Sequence, residues 1–143
     1  MPDDKKPKES QTFINLGIVL NSKGEVMVIR RKKVERFKTG SILSWAFPGG
    51  KQHLDESRKK CIEREVMAET GYEIEAEKEI SIRVPPEQPV LLVYHLCRLI
   101  QQKPVGKPQQ PWEVEEIRWI RPGELKNLFT SSLDPKVAEE LKI

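Results

Sequence analysis

Residues 50–72 of this chain read GKQHLDESRKKCIEREVMAETGY, and this stretch decides how the rest of the sequence is interpreted. It predicts one helix over residues 56–70. Asp55 or Ser57 can cap the first turn, because their side-chain oxygens accept hydrogen bonds from unpaired backbone N–H groups. Gly71 follows the last helical residue, where a glycine in the left-handed conformation commonly ends a helix.

Two acidic residues fall within the apolar stripe of this predicted helix. Each helical residue turns about 100°, so the inward stripe consists of Cys61, Ile62, Val66 and Ala68. Glu65 and Glu69 lie inside that arc, and their spacing brings the side chains together on one face. Buried carboxylates are paired, protonated or bound to a cation. The pattern alone leaves two interpretations open: a metal site, or a surface helix whose acids pair with lysines and with Arg58.

The spacing of the whole stretch resembles the Nudix box, written G-x5-E-x7-R-E-U-x-E-E-x-G-U with U a bulky apolar residue. The matching residues are Gly50, Glu56, Arg64, Glu65, Val66, Glu69, Gly71 and Tyr72. The upstream residues Trp45-Ala-Phe and Pro48-Gly-Gly are also typical of the family. The resemblance implies an α/β fold of the Nudix type, an α/β/α sandwich with a mixed central sheet.

The same resemblance implies a metal site and a reaction. Glu65 and Glu69 are expected to be the catalytic and metal-binding acids, and Gly49 is expected to lend its backbone carbonyl to Mg²⁺ or Mn²⁺. Such ions neutralise a diphosphate and lower the pKa of bound water, while a nearby carboxylate takes the proton. The expected reaction is cleavage of the pyrophosphate bond of a nucleoside diphosphate linked to another group X. Glu113, after the loop 101–111, is the candidate metal ligand from outside the box, with a solvated acidic strand as the alternative.

Four residues of the box are expected to have structural roles. Glu56 and Arg64 hold positions that are thought to pair with each other in the family and brace the loop. Gly50 and Gly71 are expected to shape the turns before and after the helix.

Ala68 departs from the box, because the family has the first Glu of its Glu-Glu pair at this position. The alanine removes one carboxylate from the expected metal site. Two outcomes stay open. The chain is a hydrolase that works with Glu65, Glu69 and an outside acid, or it is a catalytically weakened module that binds and senses a nucleotide.

Three residues outside this helix are candidates for binding the substrate. Arg30 ends a predicted strand and begins the basic stretch 30–38, which is either a rim that attracts polyphosphate or a solvated loop. Trp45 is expected to stack on a base or to pack against the sheet, and Lys51 lies in the box loop. Pro89 lies within one residue of a proline that some ADP-ribose hydrolases of the family carry, which favours an ADP-ribose-like substrate.

Hydropathy predicts a single domain over residues 11–143, preceded by a disordered polar arm at 1–10. Strands are predicted over 13–20, 25–30, 42–47, 72–84, 90–100 and 112–120, with a basic loop over 31–41. Within 72–84, the residues expected on one face are Ile74, Ile80, Ile82 and Val84. Helices are predicted over 122–129 and after Asp134, with Val137 and Leu141 facing inward.

The composition limits the partners. Of 143 residues, 33% are charged and the net charge is only +3, so nucleic acid is not an expected partner, although the basic stretch leaves a role at RNA ends as a third interpretation. No apolar run is long enough to span a membrane, and the expected location is the cytoplasm. Cys61 and Cys97 are expected to be buried free thiols, and His95 a core residue. Relatives often form homodimers, and the sequence leaves this open.

Overall fold

The computed structural model describes residues 9–36, 42–110, 112–130 and 132–143. These ranges form the strands β1 (Glu9–Leu20), β2 (Val26–Arg36), β3 (Ile42–Ala46), β4 (Gly49–His53), β5 (Ile74–Arg83), β6 (Leu91–Leu99) and β7 (Val114–Ile120). The helices are α1 (Arg58–Thr70), α2 (Leu125–Leu128), which follows a 3₁₀ turn at Pro122–Glu124, and α3 (Pro135–Glu140). Residues 1–8 of the predicted arm lie outside the described residues, and β1 begins at Glu9, within the last part of that arm.

The seven strands form one mixed sheet in the order β3-β2-β1-β6-β5. β1 runs parallel to β6, with Asn15 opposite Val93, and the other pairings are antiparallel. β4 pairs with β1, and β7 pairs with β2, outside this main path. The mixed sheet that the sequence predicted is confirmed.

Helices cover both faces of the sheet. On one face, Ile62 and Val66 of α1 pack with residues of three strands, Met27, Val19 and Cys97. On the other face, Leu125 of α2 and Val137 of α3 pack with residues that include Ile18, Val28, Phe47 and Tyr94. Full burial of an aliphatic side chain stabilises the fold by about 1.5–3 kcal/mol. The resulting layers are the α/β/α sandwich that the resemblance implied.

Helix α1 begins two residues later than predicted and ends where the sequence indicated. Ser57 is the N-cap, since its hydroxyl oxygen accepts a hydrogen bond from the Lys60 N–H at 3.1 Å. Gly71 follows with φ of 77° in the left-handed conformation. At 13 residues α1 is the longest helix of the described ranges, and no helix there is long and apolar enough to cross a membrane.

The basic loop predicted over 31–41 is wrong for residues 31–36, and residues 37–41 lie outside the described part. Residues 31–36 continue β2, because their backbone pairs with neighbouring strands: Arg36 is opposite Ile42 of β3, and the Lys32 N–H donates to the Glu113 carbonyl at 3.1 Å. The side chains of 32–36 are exposed. Hydropathy does not separate an exposed strand from a loop.

β5 also differs from its prediction. Irregularities in its pairing with β6, between Ala76 and Lys78 and between Glu79 and Ser81, shift which side chains face the core. Such bulges put one extra residue on a strand and change its alternation. Ile82 is therefore 46% exposed, and the predicted single apolar face is wrong.

His95 and Asn15 form a buried polar pair within the sheet. Their side chains are 2% and 0% exposed, and His95 Nε2 lies 2.8 Å from Asn15 Oδ1. The amide nitrogen of Asn15 donates onward to Gln52 Oε1 at 3.0 Å. The prediction that His95 is a core histidine is confirmed, as is the burial of the free thiols Cys61 and Cys97.

We expect acid to destabilise the fold through His95. Burial lowers the pKa of this imidazole, Arg58 lowers it further, and Glu79 and Glu63 partly offset these effects. Below about pH 6.5 the unfolded chain binds a proton that the folded chain does not, so stability falls by up to about 1.4 kcal/mol per pH unit until the lowered pKa is reached. Urea unfolding at about pH 7.5 and about pH 5.5 measures this loss.

The comparison for this prediction is His95→Gln, which places a side-chain amide near Asn15 in place of the imidazole and does not titrate. The wild type should lose more stability on acidification than this variant. Equal losses in the two proteins would show that His95 does not contribute to the acid response.

Candidate active site

Glu65 and Glu69 lie where α1 faces β4, and they are only 7% and 6% exposed. The Gly49 N–H donates to Glu69 Oε1 at 2.8 Å. Gly50 lies against the other acid, since a Cβ at this position would be 2.7 Å from Glu65 Oε2. A Cβ at Gly49 would be 2.0 Å from the Asn15 carbonyl oxygen. Only glycines allow the β4 backbone to approach both acids this closely.

Burial makes the charged forms of both acids costly. Burial raises the pKa of Glu65, and the charge of Glu113 adds to the rise, while Arg64 and His53 oppose it. The pKa of Glu69 lies well above its usual value because of burial, then because of the charges of Glu65 and Glu113, with the Gly49 N–H and Arg31 opposing. The negative charges of Glu65, Glu69 and Glu113 therefore act on one another, and a nearby cation would stabilise their charged forms.

Arg64 ties Glu65 to the loop that precedes the helix. Its Nε donates to Glu56 Oε2 at 3.0 Å and its Nη2 to Glu56 Oε1 at 2.7 Å, while Nη1 donates to Glu65 Oε1 at 2.7 Å. Glu56 also accepts from the His53 N–H at 2.9 Å. Burial raises the pKa of Glu56, but the hydrogen bonds from Arg64 and His53 outweigh it, so the net pKa is lowered. The pair braces the loop as charged groups.

The acids line a cavity of about 860 Å³. Its lining includes Gly49, Gly50, Lys51, Glu65, Glu69, Gln110 and Glu113, and its cations also include Arg31, Lys33 and Arg83. The lining also includes Phe47, Tyr94 and Phe129, and Phe47 makes edge-to-face contacts with both other rings. The cavity thus joins an anionic region, several cations and an aromatic region.

Arg30 and Trp45, two of the predicted substrate-binding residues, do not line this cavity among the described residues. The guanidinium of Arg30 lies 5.8 Å from the centre of the Trp45 ring, and that of Arg118 lies 4.5 Å from it. Arg30 also pairs with Glu116 at 3.5 Å. Side chains alternate along a strand, so the next residue, Arg31, reaches the cavity instead.

The sequence analysis missed Arg31, Lys33, Arg83 and Gln110 as cavity residues. Alternation along the full length of β2 would have indicated Arg31 and Lys33. Arg83 reaches the cavity because its Nε lies 3.2 Å from Asp134 Oδ2 and its Nη2 donates to the Ser132 carbonyl at 2.9 Å. These contacts join segments that are distant in sequence, and no local sequence pattern predicts them.

Within the described ranges, no three Asp, Glu, His or Cys side chains gather closely enough to form a ready metal site. The residues present nevertheless fit a hard divalent ion. Glu65 and Glu69 offer two buried carboxylates, and the part of the chain that the structure describes contains no buried lysine or arginine to neutralise them. The β4 backbone passes directly beside both acids. Mg²⁺ is commonly held by one or two carboxylates together with several waters.

A mixed sheet between two helical layers, with paired acids beside a glycine turn, defines an α/β/α domain with a polar cleft. The family model for the NUDIX domain matches residues 15–141, and the chain therefore belongs to the Nudix family. The chain is 26% identical over 110 residues to a MutT-like protein of Streptomyces ambofaciens, covering 76% of this chain. It spans 63% of the length of that relative.

Two solved structures share the fold. The MutT protein from Methanosarcina mazei has a TM-score of 0.62 and 24% identity, covering 96% of this chain and 93% of that one. An ADP-ribose pyrophosphatase from Streptococcus suis has a TM-score of 0.56 and 19% identity, covering 80% of this chain and 76% of that one. Both are similar to this chain in the arrangement of sheet and helices.

We expect Arg64→Lys to destabilise the fold by about 1–2 kcal/mol, because lysine cannot form the two-pronged contact with Glu56 while also bonding to Glu65. Urea unfolding measures the change. The control is Arg58→Lys, which alters an exposed pair with Glu79 at 3.2 Å and should change stability by less than about 0.5 kcal/mol. Equal effects of the two substitutions would contradict a special role for the Arg64 brace.

Proposed function

We propose that this chain is a metal-dependent hydrolase that cleaves the pyrophosphate bond of a nucleoside diphosphate linked to another group X. The observation that carries the proposal is the burial of Glu65 and Glu69 side by side against Gly49 and Gly50, in the wall of a large cavity. Membership of the Nudix family supports the same reaction. A cavity of about 860 Å³ is within the usual range for small-molecule sites.

Glu65 and Glu69 are the proposed ligands for Mg²⁺ or Mn²⁺, with the Gly49 carbonyl and Glu113 completing the protein's contribution. The ion supplies Lewis-acid stabilisation of the diphosphate and lowers the pKa of a bound water. Glu113 supports this assignment through its charge, which raises the pKa of both buried acids although its own side chain is exposed.

The chain's own residues have three tasks in this reaction. Arg64 fixes the orientation of Glu65, since it bonds to that acid and to Glu56 at once. Arg31, Lys33 and Lys51 surround the anionic region with positive charge and attract the phosphates of the substrate. One of the carboxylates takes the proton from the attacking water, because both lie in the region where the water must be held.

The substrate is proposed to be a small nucleotide with its base or its group X in the aromatic part of the cavity. The rings of Phe47, Tyr94 and Phe129 offer a surface on which a planar group can pack. An ADP-ribose-like group X is supported by Pro89, whose neighbours Gln88 and Val90 line the cavity, and by the similar fold of an ADP-ribose pyrophosphatase. We place the reaction in the cytoplasm, without a nucleic-acid partner.

We expect Glu69→Gln to reduce turnover by about a hundredfold or more, because the amide keeps the shape of the carboxylate but loses its charge. The assay incubates the wild type and the variant with a panel of nucleoside diphosphate derivatives and Mg²⁺ or Mn²⁺. The control, Glu139→Gln, changes an exposed acid on α3 and should retain wild-type turnover. If no compound is cleaved faster by the wild type than by the Glu69→Gln variant, the hydrolase proposal fails.

A second candidate function is a weakened module that binds nucleotide without cutting it, and Ala68 is the observation that favours it. Ala68 is 7% exposed and stands where the box has an acid. Calorimetry with a non-hydrolysable analogue separates the two functions. The hydrolase requires the metal for tight binding of the analogue, whereas binding that survives chelation, together with no turnover, would support the module.

We expect Ala68→Glu to change turnover by less than about tenfold if the native site is already complete. Ala68 is only 7% exposed, so a glutamate side chain here would be close to neighbouring groups. A large gain in turnover with the restored acid would instead show that the native site is deficient.

A further inference from the structure

We propose that the side-chain amide oxygen of Gln110 is a ligand for the divalent ion and takes the place of the carboxylate that Ala68 lacks. This inference rests on the proposed function, because it assumes an ion between Glu65 and Glu69. It adds a neutral oxygen ligand from a loop outside the Nudix box. Three observations carry it: the path of the loop, the state of the amide oxygen and the chemistry of the ion.

The loop that carries Gln110 is bonded to the end of α1. We call residues 105–110 the strap. The Val105 N–H donates to the Gly71 carbonyl at 2.8 Å, and the Gln109 and Gln110 N–H groups donate to the Ala68 carbonyl at 2.8 and 3.2 Å. These carbonyls belong to the last turn of the helix and its cap, which have no intrahelical partner of their own. The strap therefore attaches Gln110 directly to the turn that contains Glu69.

Gln110 belongs to the lining of the same cavity as the acids. Gln110 lines the cavity with Glu65, Glu69 and Glu113, and the Glu113 N–H donates to the Gln110 carbonyl at 3.0 Å. This turn keeps Gln110 and Glu113 together at the mouth of β7. Gln110 is thus held from two sides, by α1 and by the acid proposed to join the metal site.

The amide oxygen of Gln110 is buried and has no hydrogen-bond partner among the described residues. A buried polar atom without a partner is destabilising, and most such atoms in native proteins are paired. The charged carboxylates that line the same cavity could not satisfy this oxygen, since they too are acceptors. A divalent ion satisfies both kinds of group at once.

The chemistry of the ion suits an amide oxygen at this place. Mg²⁺ and Mn²⁺ bind carboxylate and carbonyl oxygens, including those of asparagine and glutamine. A further carboxylate in addition to Glu65, Glu69 and Glu113 would add to the repulsion between the negative charges of this region. A neutral oxygen adds a ligand without adding charge. The amide oxygen of Gln110 would therefore replace the missing carboxylate at position 68 with an uncharged ligand.

The test measures Mn²⁺ binding by calorimetry without nucleotide, so that its readout is independent of turnover. Gln110→Met removes the oxygen but keeps a similar length, and it should weaken Mn²⁺ binding by about tenfold. Gln110→Glu restores an oxygen with a charge and should bind Mn²⁺ at least as tightly as the wild type. The control is Gln109→Met, which alters an exposed neighbour on the strap and should bind like the wild type.

A structural role for Gln110 predicts a different result. When a chelator removes the metal, the Gln110→Met variant should unfold at the same or a higher temperature than the wild type, because it lacks an unpaired buried oxygen. Weaker Mn²⁺ binding with an intact fold supports the proposal. Loss of stability in chelator together with unchanged Mn²⁺ binding would overturn it.

Glu69→Gln distinguishes this proposal from the hydrolase proposal. If Glu69→Gln abolishes Mn²⁺ binding and Gln110→Met does not weaken it, the metal site stands and the role of Gln110 is refuted. If the wild type binds no Mn²⁺, or if Glu69→Gln binds it normally, the proposed metal site itself fails and the inference about Gln110 fails with it.

Discussion

The structure depends on two carboxylates that are kept out of water between α1 and the start of β4. Glu65 and Glu69 face inward from the same side of α1 that carries Ile62 and Val66, so the helix cannot bury its apolar residues without burying the acids too. Desolvation of charge is costly, and the surrounding structure is arranged around that cost. The Gly49 N–H, Arg64 and Arg31 of β2 each reduce it in part.

This arrangement is possible because β1 pairs with several strands of the sheet. β1 pairs with β6 in parallel and with β4 antiparallel, and its Asn15 and Leu16 lie opposite Gly50 and Gly49. A side chain at either glycine would meet Asn15 or Glu65. The glycines therefore bring one strand close to both its sheet partner and the helix. The hydrogen bonds from Asn15 to Gln52 and from Gln52 to the Glu56 carbonyl continue this contact into the braced loop.

The sequence predicted the features whose signal is local. The position of α1, its Gly71 cap and the inward direction of Glu65 and Glu69 follow from spacing within one helix. The errors arose where tertiary pairing overrides local pattern: β2 continues through charged residues because β3 and Glu113 provide backbone partners. Arg31 rather than Arg30 lines the cavity, because neighbouring residues of a strand face opposite sides of the sheet. Arg83 and Gln110 are placed by contacts that span the chain, which spacing does not reveal.

The charges of the cavity are complementary to the two parts of the proposed ligand. The acids would hold the proposed metal ion and Arg31, Lys33 and Lys51 the proposed phosphates. Arg31 already lowers the pKa of Glu69 across the boundary between the two sets. The acids and the cations do not neutralise each other fully, since the pKa of Glu65 and of Glu69 stays raised by burial. A metal ion with a diphosphate neutralises both sets together.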